Sequence, residues 1–307
     1  MARSHPPTLL TRVRRTLREE CNVSRGARIL VAVSGGGDSA ALLHALACAR
    51  DRTGLVLFAH GVNHGLRPEA ASELELARQC AERCQVPYSE SSLRLQSGGN
   101  LQARARTARY ASLRRAAAQV GADWIATGHH ADDRAETVIM RLLRGAGPRG
   151  LAVLPARAGE LLRPMIRARR ADVLAHLHRH AVLFAEDPSN QDRRYLRVRV
   201  RREVMPLLES LSPRLVEHLC ALADQVDAPA PPELFDFGGR PVPLGREHTT
   251  QIQRARRLRL SGVRVRLPGG REIAVDPRSG KITLDEPRPV AAGRSSGRGA
   301  AKRRRHG

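Results

Sequence analysis

The sequence predicts an α/β protein built on a doubly wound parallel sheet, followed by a helical segment and a small basic domain that contains β-strands. Two observations carry the main part. A short apolar run, RILVAV (28–33), ends in a glycine cluster and leads into an apolar helical stretch, which is how a parallel α/β sheet opens. Strand-like and helix-like segments then alternate as far as residue 144. A third observation sets the scale. A chain of 307 residues, 41% apolar, has material for a sizeable core and, at ~150 residues per domain, for about two domains.

Taken in order, Ser39 to Arg50 reads as a helix apolar on most faces, and Leu55 to Ala59 as a second strand. Glu69 to Gln85 places Ala70, Leu74, Ala77, Cys80 and Cys84 at helical spacing. Asn100 can cap a helix running to Val120, which Gly121 would end. DWIAT (123–127) is the next strand, followed by a helix over 131–144. Gly145, Gly147, Pro148 and Gly150 then mark a loop, and 168–180 and 213–227 read as helices. APAPP (228–232) is a linker and 247–260 a short basic helix. Residues 263–267 and 271–275, joined by Pro268-Gly269-Gly270, form a predicted hairpin, with a further strand at 281–284. The expected organisation is a catalytic domain over 1–212, a helix and linker over 213–232, a basic domain over 233–287 and a tail over 288–307 that is disordered by composition.

The charge is the unusual quantity. There are 53 Lys+Arg against 30 Asp+Glu, a net +23, and the tail supplies only seven of these charges. Such an excess favours a polyanionic partner, nucleic acid first. Lys281 and Lys302 are the only lysines, which excludes a Schiff-base lysine or a Walker A lysine from the first 280 residues. No apolar run approaches ~18 residues, so no membrane helix is expected. The amino-terminal residues lack the apolar core of a secretion signal. Five cysteines show neither metal-ligand spacing nor an even disulfide framework, so a reduced, cytoplasmic protein is expected.

Two motifs carry chemistry. Ser34-Gly35-Gly36-Gly37-Asp38-Ser39 lies between a strand and a helix, where consecutive glycines let backbone N–H groups converge on an anion. Ser34 and Ser39 add hydroxyls, and Asp38 is placed to hold a magnesium ion on bound phosphates. The second motif, GHHADDRAET (128–137), follows the strand DWIAT and so lies at the carboxyl edge of the sheet. Asp133 and Glu136 share a helix face there, which suits a cationic amine or a metal ion; the His-His-x-Asp-Asp string is also a candidate metal cluster.

SGGGDS resembles the pyrophosphate loop of the PP-loop ATP pyrophosphatases, whose fold is of the adenine nucleotide alpha hydrolase kind. With NHGLRPE (63–69), ARYASL (108–113), GHHADDRAET, RLLRGAGPRGL (141–151) and EDPSNQDRRYLR (186–197) in register, the chain resembles the tRNA(Ile)-lysidine synthase family over roughly residues 25–227. The resemblance implies a ligase that uses ATP and Mg2+ to adenylate the first anticodon cytidine (position 34) of a CAU-anticodon isoleucine tRNA. Free L-lysine then displaces AMP, and codon reading changes from AUG to AUA. It implies that Ser34, Gly35, Gly36, Gly37, Asp38 and Ser39 bind ATP, with His64 and His129 as further ATP contacts. Asp133 and Glu136 match the pair that holds lysine, and Arg109 the arginine near the reacting base. Arg197, Arg199 and Arg201, together with Arg254 and Arg257 of the basic helix, are the expected tRNA contacts; a homodimer is compatible with the sequence. Two departures stand out. Val198 follows Arg197 where the family has asparagine, and Gly61 stands where it commonly has histidine, with His60 one place earlier. A sulfur-transferring relative would need reactive cysteines, and a non-enzymatic RNA-binding protein would not need Asp38, Asp133 and Glu136 together.

Overall fold

Alternate residues of the first strand, β1 (Arg28–Val33), enter different cores: Ile29, Val31 and Val33 one, Leu30 and Ala32 the other. A strand covered on both faces reads as a continuous apolar run, which is what RILVAV is. The computed structural model describes residues 8–63, 70–93, 101–185, 194–227, 246–260, 263–267, 272–276 and 282–285. Contacts divide the chain into two units, Met1–Pro229 and Ala230–Gly307.

In the first unit, α2 (Gly37–Thr53), β2 (Val56–Asn63), α3 (Ala70–Arg83), β3 (Tyr88–Ser92), α4 (Leu101–Gln119), β4 (Trp124–Ala126) and α5 (Ala131–Leu142) follow β1. Short strands β5 (Arg157–Ala158) and β6 (Leu161–Leu162) complete a six-stranded sheet in the order β3-β2-β1-β4-β6-β5, parallel except for β5. The doubly wound parallel sheet expected from the sequence is therefore present. An amino-terminal helix, α1 (Leu9–Glu19), and α6 (Arg170–Arg179) join α2 and α3 on one face, while α4 covers the other with Tyr110, Leu113, Ala116 and Ala117. The chain order reverses between β1 and β4, and their carboxyl ends form the crevice where such folds bind ligands.

After α6 the chain continues through α7 (Leu196–Arg199), a π-helical turn (Val200–Val204), α8 (Met205–Leu211) and α9 (Leu215–Asp227). Helix α9, set apart with the linker in the sequence-based division, packs on α5 through Val216, Leu219, Cys220 and Ala223, and falls inside the first unit. In the second unit, α10 (Arg246–Leu258) buries Ile252 and Ala255 against Val265, Ile273 and Val275 of an antiparallel sheet, β7 (Arg264–Arg266), β8 (Glu272–Val275) and β9 (Ile282–Asp285). The expected tail, 288–307, lies outside the described residues.

Candidate functional site

The SGGGDS turn closes the carboxyl end of β1 and opens α2. Gly35 takes φ +79°, and a Cβ there would collide with the backbone carbonyl of Glu73 in α3, so the turn passes that helix only as glycine. The Gly35 carbonyl accepts the N–H of Ala185 at 2.9 Å, which ties the turn to the segment after α6. Ser39 is buried and its hydroxyl works inside the turn, accepting the Ser34 N–H at 3.1 Å and donating to the Gly36 carbonyl at 2.9 Å. Ser34 is exposed beside it. A Cβ on Gly128 would lie 2.9 Å from the Asp38 carbonyl oxygen, so the two motifs meet backbone to backbone.

Helix α5 begins at His130, a fully buried N-cap. Its Nε2 lies 3.7 Å from Asp38 Oδ2 and 3.5 Å from Asp133 Oδ2; its Nδ1 lies 3.6 Å from Asp132 Oδ2. Burial opposes charge on this ring, but the surrounding carboxylates of Asp132, Asp38 and Asp133 outweigh it and lift its pKa to about 10. In the structure Nδ1 accepts the Asp133 N–H at 3.4 Å while the Asp133 carboxylate accepts the His130 N–H at 3.1 Å, a reciprocal cap of α5. Asp132 is structural: it accepts the Arg170 N–H at 2.7 Å and pairs with Arg169, linking α5 to α6.

Asp133 and Glu136 are 6% and 3% exposed, too buried to stay ionised without partners. The partners are Arg197 and Arg201, one turn apart along α7 and the π-helical turn. Arg197 donates to Asp133 Oδ1 at 2.7 Å and Glu136 Oε2 at 3.0 Å. Arg201 donates to Glu136 Oε1 at 2.6 Å and to Asp133 Oδ1 at 3.2 Å. Burial works against the Asp133 carboxylate, but His130 and Arg197 hold its pKa below the usual range. Arg199 is exposed and pairs instead with Glu203 at 3.4 Å.

Asp38, His130 and Asp133 are the one group of three among the described residues whose donor atoms lie within 4.8 Å of one another. His129 does not join them. It bonds to Thr127 Oγ1 at 2.9 Å, and burial pushes its pKa down to about 4, so it is neutral. Arg109 is not brought to the acidic pair either; its guanidinium lies over the Tyr110 ring at 5.3 Å. Arg109 Nε, Tyr110 Oη and Arg163 Nε are buried polar atoms with no hydrogen-bond partner. Arg163 carries no motif and was not legible in the sequence; Tyr110 was, inside ARYASL, but only as part of a resemblance. His64 lies outside the described residues. Where the family commonly has histidine, a Cβ on Gly61 would lie 2.5 Å from Tyr88 Oη and 2.6 Å from Leu74 Cδ2. His60 is structural, bonded to Ser89 at 2.8 Å and Ser91 at 3.0 Å.

With this geometry in place, the comparisons with known proteins are direct. A relative from Xanthomonas axonopodis pv. citri named tRNA(Ile)-lysidine synthase is 39% identical over 64% of this chain and 45% of its own length. One of the same name from Aromatoleum aromaticum is 43% identical over 62% and 46%. The chain thus spans about half the length of the curated relatives it matches. The solved U34-tRNA thiolase NcsA from Methanococcus maripaludis, with its [4Fe-4S] cluster, covers 81% of this chain and 87% of its own at a TM-score of 0.62 and 17% identity, a likeness of fold. The sequence model of the PP-loop domain matches residues 9–208, nearly all of the first unit, and the chain belongs to the PP-loop domain family.

Proposed function

We propose that this chain acts as a tRNA(Ile)-lysidine synthase. ATP lies in the SGGGDS turn, and the carbonyl oxygen of the first anticodon cytidine attacks the α-phosphorus, releasing pyrophosphate. The ε-nitrogen of free lysine, having shed a proton, then bonds to the carbon bearing that oxygen, and AMP leaves with the oxygen. The observation that carries the reading is the buried Asp133–Glu136 pair beside the glycine turn, already engaged by two cationic side chains. A carboxylate held below its usual pKa stays ionised and suits an ammonium group; lysine would share or exchange oxygens with Arg197, which is 41% exposed and able to move. Glu136 is the proton acceptor in this reading.

Asp38 fits Mg2+, being a carboxylate at the turn with a second carboxylate, Asp133, within 4.8 Å. The ion would neutralise the phosphates. Arg109, Tyr110 and Arg163 would meet the α-phosphate and the base. The exposed Arg199, Arg254 and Arg257 would contact tRNA phosphates.

The test is incorporation of labelled lysine into an unmodified isoleucine tRNA transcript with a CAU anticodon, with ATP and Mg2+. Incorporation that requires ATP and disappears with Asp38→Ala supports the reading. Pyrophosphate release without lysine incorporation would overturn it in favour of another acceptor. Asp133→Asn should raise the KM for lysine about tenfold or more with ATP binding retained; unchanged lysine affinity would remove Asp133 from the lysine site.

A further inference from the structure

The acidic pair is answered before any substrate arrives. Asp133 and Glu136 bring two negative charges, and Arg197 and Arg201 bring two positive ones. An ammonium group entering here finds no unpaired carboxylate, so it must displace a guanidinium or stay out. The two arginines are not held equally. Arg201 rises from the π-helical turn, is 25% exposed, and makes three contacts with the pair, at 2.6, 3.1 and 3.2 Å. Arg197 is 41% exposed and makes two, at 2.7 and 3.0 Å, from the second position of a helix of only four residues. Its departure would leave Arg201 on the pair and free a share of Asp133 Oδ1 and Glu136 Oε2 for an incoming cation.

An attraction for Arg197 can arise close by. Asp133 also meets Asp38 of the glycine turn, with carboxylate oxygens within 4.8 Å, so Arg197 holds a group that itself borders the turn. A guanidinium is a forked donor that fits phosphate oxygens as well as carboxylate ones. A polyphosphate bound at the turn therefore competes with the acidic pair for Arg197.

We propose that Arg197 is a place-holder for the substrate ammonium. It fills the acidic pair while the turn is empty and swings to the phosphates when ATP binds, so that the lysine site opens only after ATP is in place. The inference rests on the reading of Asp133 and Glu136 as the lysine site. It imposes an order of binding and keeps free amines out while there is nothing for them to attack. A purely structural arginine would behave otherwise: like Arg134, which is 1% exposed, its loss would weaken the fold without strengthening the binding of any cation.

The test titrates the full chain with L-lysine in a calorimeter, with and without Mg2+ and an ATP analogue carrying a methylene between the α and β phosphates. No adenylate can form, and tRNA is left out. In the unaltered chain the analogue should tighten lysine binding at least about tenfold, a usual size for coupling between two sites. Arg197→Gln removes the charge but keeps a donor for the carboxylates. Without the analogue it should bind lysine at least about tenfold more tightly than the unaltered chain, and the analogue should then add less than about threefold. Arg197→Lys keeps a cation and should bind lysine as weakly as the unaltered chain. Lysine affinity that the analogue leaves unchanged in the unaltered chain would overturn the place-holder with no variant needed. So would equal affinities of the unaltered chain and Arg197→Gln without the analogue, or full coupling in Arg197→Gln; in each case the lysine site itself still stands. No lysine binding by either chain in either condition would remove the lysine site, and the place-holder with it.

Discussion

Arginine does opposite work in the two units. In the first it cross-links elements. Arg134 is 1% exposed and reaches Asp224 of α9 at 2.6 Å and the Val153 carbonyl at 2.9 Å. Arg167 joins Glu20 at the end of α1 to the same Asp224, and Arg169 gathers Asp132, Glu209 and Glu217 from three helices. In the second unit the side chains of Arg254 and Arg257 are exposed on α10 beside the buried Ile252 and Ala255, and Arg266 is 88% exposed even while it pairs with Glu272. The count of 53 Lys+Arg therefore overstates the cations free to meet a polyanion, and the net +23, which already subtracts the carboxylates, is the better measure. Arg134, Arg167, Arg169, Arg197 and Arg201 are answered by carboxylates in buried or half-buried places, where pairing is required, while Arg115, Arg141, Arg144 and Arg149 of the same unit stay exposed. Among the described residues of the second unit, Arg254, Arg257, Arg259, Arg264 and Arg266 are exposed, where pairing contributes little.

The strongest way to break this contrast is to remove an acid from the first unit. Asp224→Ala leaves Arg134 buried without its counter-charge and takes one of two partners from Arg167. Loss of one member of a buried pair costs about 3–5 kcal/mol, and the partial exposure of Asp224 favours the lower end. Urea unfolding should show a loss of about 3 kcal/mol; a loss below about 1 kcal/mol would mean that Arg134 finds another partner or reaches water.

A smaller effect comes from pH. His130 has a folded pKa of about 10 against about 6.5 unfolded. Its raised value contributes stability that is fully present below about pH 6.5 and is lost as pH rises through about 10. The expected loss over that window is a few kcal/mol, read as the difference between the chain and His130→Asn in unfolding free energy against pH. Parallel curves would mean that His130 is neutral and only caps α5.

What was legible in the sequence follows the same physics. RILVAV and the glycine turn were readable because a strand buried on both faces leaves no polar alternation and a phosphate turn needs glycine. The edge strand β3, YSESS, was not readable: its outward positions are polar, and two of its serines serve His60 rather than an apolar core. Helix α1 had its signal in Leu9, Val13 and Leu17 at four-residue spacing, hidden among four arginines. The acidic pair was legible as a motif, but its occupation by Arg197 and Arg201 was not. A π-helical turn sets those two guanidiniums side by side, and no local pattern announces such a turn. Arg163 was invisible because a buried, half-satisfied arginine in a loop has the same sequence signature as a solvated one.

The smallest expected effect on stability tests the other half of the contrast. Arg254→Ala with Arg257→Ala removes two exposed cations from α10 without touching Ile252 or Ala255, so unfolding should move by less than about 0.5 kcal/mol. Binding of tRNA, as proposed above, should respond differently. Each cation that neutralises a phosphate releases a counterion, so losing two such contacts should lower the magnitude of the slope of log K against log salt by about 1.5 to 2. The weakening should be nearly the same for isoleucine tRNA and for an unrelated tRNA, because phosphate contacts carry no sequence information. An unchanged slope would mean these arginines lie off the RNA path. A loss confined to isoleucine tRNA would mean that α10 reads shape or bases, and that exposure in the second unit serves selection rather than attraction.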